Sequence, residues 1–145
     1  GFYGWPYSYL GNHPDPRLPR RPELENRALV PEVLFQAHSA ALGLVFYQGT
    51  QFPKAHQNDA FVAFRGSWNR GEGTGYKIVR VPFLPTGKPK GYYEDFVTGW
   101  LADPKGPTVW GRPVGLAIAQ DGSLLITDEP GGVIWRVTYR GKSSS

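Results

Sequence analysis

The sequence predicts an all-β fold of the β-propeller type, and three observations carry that prediction. The chain has 19 glycines and 14 prolines in 145 residues, a composition that favours many short strands over long helices. Two apolar strands joined by a polar loop occur at residues 60–83 and again at 122–139. In both copies the second strand ends in Arg-Val-x-aromatic. A repeated hairpin with long loops is typical of propeller blades, whose loops carry the function.

The repeat extends upstream of the hairpins. Gly43-Leu-Val-Phe-Tyr matches Gly115-Leu-Ala-Ile-Ala, and the two glycines are 72 residues apart. A propeller blade usually has about 40–50 residues. The excess length lies in two loops, at residues 66–74 and 102–113. The sequence therefore predicts two blade units with unusually long connections.

Each predicted strand follows from its apolar pattern and the turn residues around it. The first unit has an inner strand followed by second, third and outer strands, at residues 42–47, 60–64, 76–83 and 93–99. Residues 76–81 alternate between polar and apolar, as expected for a strand with two different faces. The second unit supplies strands at residues 114–119, 123–127 and 133–139 and then lacks a fourth.

The remaining segments complete a domain organisation with one propeller segment over residues 1–145. Residues 1–29 are predicted to form an ordered loop, because five prolines oppose a regular ladder or helix. Residues 30–35 resemble 92–97 and predict an extra outer strand, so that 30–101 is a blade-like unit with a preceding outer strand. Residues 102–139 form a last blade of three strands, and 140–145 a frayed tail.

Composition excludes several classes of protein. The sequence contains no cysteine, which excludes disulfides, cysteine-ligated zinc and covalent haem attachment. The net charge of +4 is scattered and accompanies no nucleic-acid-binding motif. No apolar run reaches 18 residues, so we expect no membrane span, and the first residues do not resemble a signal peptide.

The two predicted blades are fewer than the roughly four to eight blades of a closed propeller. Either a larger ring contains this segment, or several copies complete a ring.

Propeller geometry predicts that four loops meet on one face, beside the central channel. They are two crossovers, at residues 36–40 and 109–113, and two hairpin loops, at 65–70 and 127–131. The side chains expected to gather there are His38, Arg65, Ser67, Trp68, Asn69, Arg70, Trp110, Arg112, Asp128 and Glu129. Guanidinium groups bind carboxylates in two-point contacts, and tryptophan offers a surface for stacking. This set predicts a site for a planar ligand with several negative charges.

Simpler interpretations compete at several of these positions. Trp68 and Trp110 could cover blade edges, and Arg70 could be a surface charge. Asp128 fits an ordinary Asx turn better than a catalytic acid. His38 precedes a serine, but the chain has no Gly-x-Ser-x-Gly motif, so a hydrogen-bonding histidine is favoured over a catalytic base.

Several motifs, in order and spacing, resemble one family. They are Gly4-Trp-Pro, Gly43-Leu-Val-Phe-Tyr, Gly66-Ser-Trp-Asn-Arg, Gly75-Tyr-Lys-Ile-Val-Arg-Val and Gly111-Arg-Pro-Val-Gly-Leu-Ala. Over nearly the whole chain, from Gly4 to Tyr139, the sequence resembles the C-terminal part of the soluble aldose sugar dehydrogenases that depend on pyrroloquinoline quinone (PQQ). It lies nearest to their L-sorbosone dehydrogenase branch.

The resemblance implies a fold, a reaction and partners. It implies a six-bladed propeller, PQQ near the mouth of the channel, and calcium bound by residues outside this chain. It also implies oxidation of a sugar at its anomeric carbon or aldehyde, transfer of electrons to an external acceptor, and a periplasmic or secreted location. The partners would be the sugar, the acceptor and the rest of the propeller, with no nucleic acid. The segment alone is expected to be inactive.

The resemblance also implies roles for particular residues. Arg112 resembles a family arginine that contacts the cofactor, and Arg65 lies near the position of a cofactor-binding lysine. Trp110 stands where the family often has a second basic residue. The predicted cofactor-binding residues are Arg65, Arg112, Trp68, Asn69, Trp110 and His38, and no catalytic or metal-binding residue is assigned in this chain.

Three alternatives remain open from the sequence. The chain could be a propeller-type binding or scaffold module without a redox site. Three copies could associate to complete a six-bladed ring. A hydrolase of the lactonase propeller type would need acidic metal ligands near the channel, and the sequence shows no such group.

Overall fold

A computed structural model describes residues 1–10, 13–106, 108–129 and 131–141. The chain divides into two compact units, Gly1–Leu34 and Phe35–Ser145, and each is described by itself. In the described residues no helix is long and apolar enough to cross a membrane. Four residues of the predicted tail at 140–145, namely 142–145, lie outside the described residues.

The N-terminal unit contains more regular structure than its prolines predicted. Strand β1 (Ser8–Tyr9) pairs antiparallel with β2 (His13–Pro14), and a one-turn helix α1 spans Pro22–Glu25. Proline is tolerated at the first turn of a helix, where its missing N–H has no partner to lose. The buried carboxylate of Glu25 accepts hydrogen bonds from the Arg21 backbone N–H (2.9 Å) and from the Arg20 side chain. The prediction that residues 1–29 form a loop without any ladder or helix is therefore wrong.

The outer strand predicted at residues 30–35 does not form, and the described backbone there contains no strand. The prediction relied on a side-chain pattern shared with residues 92–97. A strand exists only where a neighbour completes its backbone hydrogen bonds, and Pro31 removes one donor from the segment.

The first sheet of the second unit contains four antiparallel strands. They are β3 (Ala41–Phe46), β4 (Ala60–Phe64), β5 (Lys77–Val81) and β6 (Glu94–Val97), in spatial order of sequence. A short 3₁₀ helix at Lys54–His56 lies between β3 and β4. Each strand begins and ends within two residues of its predicted bounds.

The second sheet contains three antiparallel strands, β7 (Arg112–Ile118), β8 (Leu124–Glu129) and β9 (Val133–Val137). In the described residues it ends at β9. Leu44 pairs with Val62 in the first sheet, and Leu116 pairs with Ile126 in the second. Both inner strands shift register just before this pair. Residues at equivalent positions of the sequence repeat are therefore also paired in the same way in the two sheets.

One core joins the two sheets. Phe61, Ile78, Leu124 and Ile126 are fully buried within it. The hydroxyl of Tyr47, also fully buried, accepts the backbone N–H of Phe52 at 2.8 Å and donates to the carbonyl of Gly122 at 2.7 Å. A buried phenol needs such partners, and here they tie the turn before β8 to the end of β3. The two blade units therefore form one packed body.

Candidate functional site

Loops from both sheets contact one another. The backbone N–H of Gly66, after β4, donates to the carbonyl of Ser39 in the first crossover (2.9 Å). The N–H of Gly73 donates to the carbonyl of Pro104 in the long loop before β7 (2.8 Å). These bonds bring the crossover at 36–40, the hairpin loop at 65–76 and the loop at 102–111 together. The contact between the first crossover and the first hairpin loop agrees with propeller geometry, and the gathering of all four loops on one face stays a prediction.

Arg112, the first residue of β7, is held at both ends. Its backbone N–H donates to Oδ1 of Asp128 at 2.6 Å. Its guanidinium lies over the ring of Tyr76, 4.9 Å from the centroid, and Nη1 donates to the carbonyl of Ser67 at 3.2 Å. A cation over an aromatic face is attracted by the electrons of the ring. The charged group is therefore oriented by protein contacts before any ligand arrives.

Gly66 permits this arrangement. Its φ is +97°, and a Cβ atom at this position would lie 2.5 Å from the ring of Tyr76. Only glycine adopts such a conformation readily and leaves room for the ring. The Tyr76 hydroxyl in turn hydrogen-bonds to the carbonyl of Ser67, which also receives Arg112. The glycine of the Gly66-Ser-Trp-Asn-Arg motif thus places the aromatic ring that supports the arginine.

Arg112 lines a cavity of about 310 Å³ between the two loops. We call this cavity the basic pocket. Its described lining includes Arg70, Lys105, Arg112, Trp68, Tyr76 and Ser67, and no acidic side chain. Trp68 is 82% exposed, so its indole is available to a ligand. Three cations and two aromatic surfaces in one cavity suit an anionic ligand that contains a ring.

Arg65 has a partner within the protein. Its Nε lies 2.8 Å from Oε2 of Glu129, at the end of β8, and the pair links the two sheets. Arg65 is not part of the lining of the basic pocket. A ligand carboxylate at Arg65 would have to compete with Glu129.

His38 and Asn69 form a pair beside the same loops. His38 Nδ1 and Asn69 Oδ1 lie 3.1 Å apart. An amide oxygen only accepts, so this bond requires the proton on Nδ1. His38 adopts a left-handed φ of 67°, and Arg70 Nη1 donates to the neighbouring carbonyl of Ala37 at 3.3 Å. The crossover is thus attached to the hairpin loop by two side chains.

Trp110 lies in a different depression. It is 77% exposed and lines a mostly apolar groove of about 660 Å³ together with Trp100, Val133 and Trp135. The structure therefore separates the predicted site residues into two groups. Arg112 and Trp68 share the basic pocket, the loops that shape it hold His38, Asn69 and Arg65, and Trp110 faces the groove.

Asp128 is a structural junction more than a turn residue. The carboxylate is 5% exposed, and besides Arg112 N–H it accepts the indole N–H of Trp100 at 2.9 Å and of Trp135 at 2.7 Å. Three donors satisfy a buried carboxylate without a cation in contact. The Asx turn expected at this position is replaced by a hub that joins β7, β9 and the segment after β6.

The model of the TrAA12-like family matches residues 23–140, most of the chain. The chain belongs to the TrAA12-like family. Proteins that are similar to this chain are much longer than 145 residues.

An uncharacterized protein of Borreliella burgdorferi is 36% identical over 138 residues, which are 94% of this chain and 36% of that protein. The iodide structure of Trichoderma reesei Carbohydrate-Active Enzymes Family AA12 aligns with a TM-score of 0.65 at 26% identity, over 77% of this chain and 27% of that chain. The holo form of the pyranose dehydrogenase PQQ domain from Coprinopsis cinerea aligns with a TM-score of 0.63 at 24% identity, over 79% and 30%. The TrAA12-like chain spans about a third of the length of these proteins.

These similarities and the three antiparallel sheets confirm the predicted all-β, propeller-type fold. At 24% identity, the likeness to the pyranose dehydrogenase PQQ domain supports a shared fold, and the PQQ-dependent activity that the motifs implied stays a prediction. The narrower L-sorbosone dehydrogenase branch stays a prediction.

Sequence reasoning missed two contributors to the basic pocket of this TrAA12-like chain. The strand pattern at residues 76–83 indicates no role in a site for Tyr76, and Lys105 lies in a long loop without a recognisable motif. The unusual length of the loop at 102–113 was a signal, but its position depends on the bond between Gly73 and Pro104. That contact joins segments about thirty residues apart, so local patterns do not reveal it.

Among residues 1–10, 13–106, 108–129 and 131–141, no three His, Cys, Asp or Glu side chains lie together as metal ligands would. Asp121 illustrates why, because its carboxylate is already bonded to Ser123 and to Arg136. The described donor set fits carboxylates of an organic ligand and does not fit a calcium ion.

Proposed function

We propose that this chain is the C-terminal segment of a PQQ-dependent dehydrogenase that oxidises an aldose or related sugar at its anomeric carbon or aldehyde. The family and the fold support an oxidoreductase-like module. The observation that carries the proposal is Arg112, held over Tyr76 in a pocket that is basic and partly aromatic.

The residues present fit a quinone that bears carboxylates. Arg112 would bind one carboxylate, because its guanidinium matches a carboxylate in two-point contacts and is already oriented. Trp68 would stack on the flat ring system from its exposed position in the same cavity. When bound, the quinone supplies the two-electron redox chemistry, and the protein supplies binding and orientation.

Other predicted residues would act on the walls of the site. The His38–Asn69 pair and the Arg65–Glu129 pair join the loops that enclose the pocket, so they would fix its shape. No described residue cluster offers a calcium site, and we assign no catalytic base within this chain. The calcium site, the catalytic base and the contacts with an external electron acceptor would belong to other parts of a longer protein. A periplasmic or secreted location is part of the same proposal.

Calorimetric titration of the 145-residue chain with PQQ tests the binding step. Arg112→Gln removes the charge and should weaken binding by roughly tenfold or more. Arg27→Gln, which changes an exposed arginine in the N-terminal unit, is the matched control and should bind like the wild type. Equal affinity of the Arg112 variant and the control would contradict the assignment. A wild type that does not bind PQQ would favour the binding or scaffold module.

A second assay tests where the reactive residues lie. The chain is mixed with PQQ, calcium, an aldose and a dye that accepts electrons. We expect binding without turnover, because the described residues provide no calcium site. Sustained reduction of the dye by this chain alone would show that the reactive residues lie within it.

A further inference from the structure

Arg70 and Lys105 provide charge in the basic pocket that the assignment of Arg112 does not use. All three side chains line one cavity, and its described lining contains no carboxylate. The nearby carboxylate of Asp103 accepts the backbone N–H of Lys105 at 2.9 Å and so caps its own turn. Like charges that share a cavity repel one another unless an anion lies between them. The arrangement is therefore most favourable with an anion present.

The pocket is held by backbone bonds that do not involve these cations. Ser67 N–H donates to the carbonyl of Thr74 (2.9 Å), and Thr74 N–H donates to Oγ of Ser67 (3.1 Å). The bond between Gly73 and Pro104 joins this closed loop to the segment that contains Lys105. Replacing Arg70 or Lys105, both exposed, leaves these backbone supports in place, and Arg70→Gln removes in addition the side-chain bond to the carbonyl of Ala37.

Arg70 keeps donors available. Within the part of the chain that the structure describes, its one hydrogen bond is made by Nη1 to the carbonyl of Ala37, at 3.3 Å. A guanidinium has five N–H donors, so a single bond to a carbonyl orients the group without using it up. Lys105 adds a compact ammonium to the lining of the same cavity, from the loop before β7.

We propose that Arg70 and Lys105 form a second anion subsite, which binds a carboxylate or phosphate group beside the anion held by Arg112. This inference rests on the proposed function, since it places the subsite next to the quinone. The anionic group has two possible sources. It belongs either to the quinone itself, as another of its carboxylates, or to an acidic sugar such as a sugar phosphate.

Calorimetry with two probes separates the sources. PQQ and glucose 6-phosphate are titrated separately into wild type, Arg70→Gln, Lys105→Gln and the double variant. Lys88→Gln and Arg27→Gln, at exposed positions outside the pocket, are the controls. Each pocket variant should bind one of the two probes about three- to tenfold more weakly than wild type, because one charged contact is lost. The affinity that remains should depend less on salt concentration. Thermal unfolding should be unchanged.

Each outcome has a distinct meaning. Weaker binding of PQQ identifies a quinone carboxylate, and weaker binding of glucose 6-phosphate alone identifies an acidic sugar. If wild type binds glucose 6-phosphate through Arg70 and Lys105 but does not bind PQQ, the subsite stands and the proposed function fails. If both variants bind both probes like the controls, the subsite is overturned.

Discussion

The two sheets of the second unit share a ladder register but differ in what covers them. All five residues of β4 and three of the five in β5 are buried, whereas four of the five residues of β9 are exposed. The first sheet has a fourth strand, β6, beside β5, and in the described residues nothing occupies the equivalent place beside β9. Strands with the same sequence pattern are therefore buried to different extents, depending on whether another strand lies beside them.

A matched pair of arginines shows the same difference. Arg80 faces Phe61 in the first ladder, and Arg136 faces Leu125 in the second. Arg80 is 16% exposed and binds the buried carboxylate of Asp59 at 2.6 Å. Arg136 is 54% exposed and binds Asp121, itself half exposed, at 2.7 Å. One repeat position thus holds a buried ion pair in one sheet and a surface ion pair in the other.

The largest expected difference lies in the core. Phe61 is fully buried and packs near the rings of Tyr47 and Phe96, so Phe61→Ala should destabilise the fold by about 4 kcal/mol. Its register equivalent Leu125 is only partly buried, and Leu125→Ala should cost roughly a quarter to a half as much. Urea unfolding of both variants measures the two losses. A Leu125 variant as unstable as the Phe61 variant would show that the second sheet is covered equally well.

The ion pairs should differ next. Arg80→Met leaves the carboxylate of Asp59 buried with, among the described residues, the backbone N–H of Phe83 as its remaining partner, at a cost of about 3 kcal/mol. Arg136→Met should change stability too little to resolve by urea titration, since exposed ion pairs contribute little. Asp59→Asn in the Arg80→Met background should recover part of the loss. No recovery would show that the buried charge is not its cause.

Two glycines of the repeat probe the packing of the inner strands. A Cβ at Gly43 would lie 2.3 Å from the backbone oxygen of Val114, where β3 approaches β7, so Gly43→Ala should cost about 2 kcal/mol. At Gly115 the nearest atom would be Oγ1 of Thr127, at 2.9 Å, within the same sheet. A side chain can turn away, so Gly115→Ala should cost less than half as much. Chemical unfolding compares them, and the reverse order would contradict the backbone contact.

The smallest expected effect is on pH dependence. Burial lowers the pKa of His56, aided by the charge of Arg80, so folding favours neutral His56. Stability from this group is complete above the ordinary histidine pKa of about 6.5 and is lost as the pH falls towards the lowered folded value. Hydrogen bonds from Ser123, with Arg136, lower the pKa of Asp121 to about 2, so its contribution is lost only as the pH falls from about 4 towards 2.

The free energy of unfolding, measured by urea titration at several pH values between 7.5 and 5, separates the two groups, because only His56 should contribute to its pH dependence in this range. His56→Phe should flatten the dependence of the unfolding free energy on pH in this range, whereas Asp121→Asn should leave that dependence unchanged here and alter it only below about pH 4. If stability depends on pH in the His56 variant as it does in the wild type, His56 is not the group responsible.

The strands were predictable because their signals are local. The hairpins at 60–83 and 122–139 contain apolar runs bounded by glycine and proline, and each strand ends within two residues of its prediction. The strand expected at 30–35 fails because pattern alone does not supply a ladder partner. At the site, Arg112 and Trp68 were found through the loops that hold them. Lys105 was not, since its place depends on a tertiary bond between Gly73 and Pro104.

The hub at Asp128 has an optical consequence. Trp100, 6% exposed, and Trp135, half exposed, donate their indole N–H groups to the same carboxylate. Trp68 and Trp110 are largely exposed. Buried indoles emit at shorter wavelength than hydrated ones, so the intrinsic emission of this chain has separable components. The long-wavelength component reports on the surfaces of the basic pocket and the groove once the emission of Trp5, which is 71% exposed in the N-terminal unit, is removed by Trp5→Phe. The short-wavelength component reports whether the junction of the two sheets remains closed.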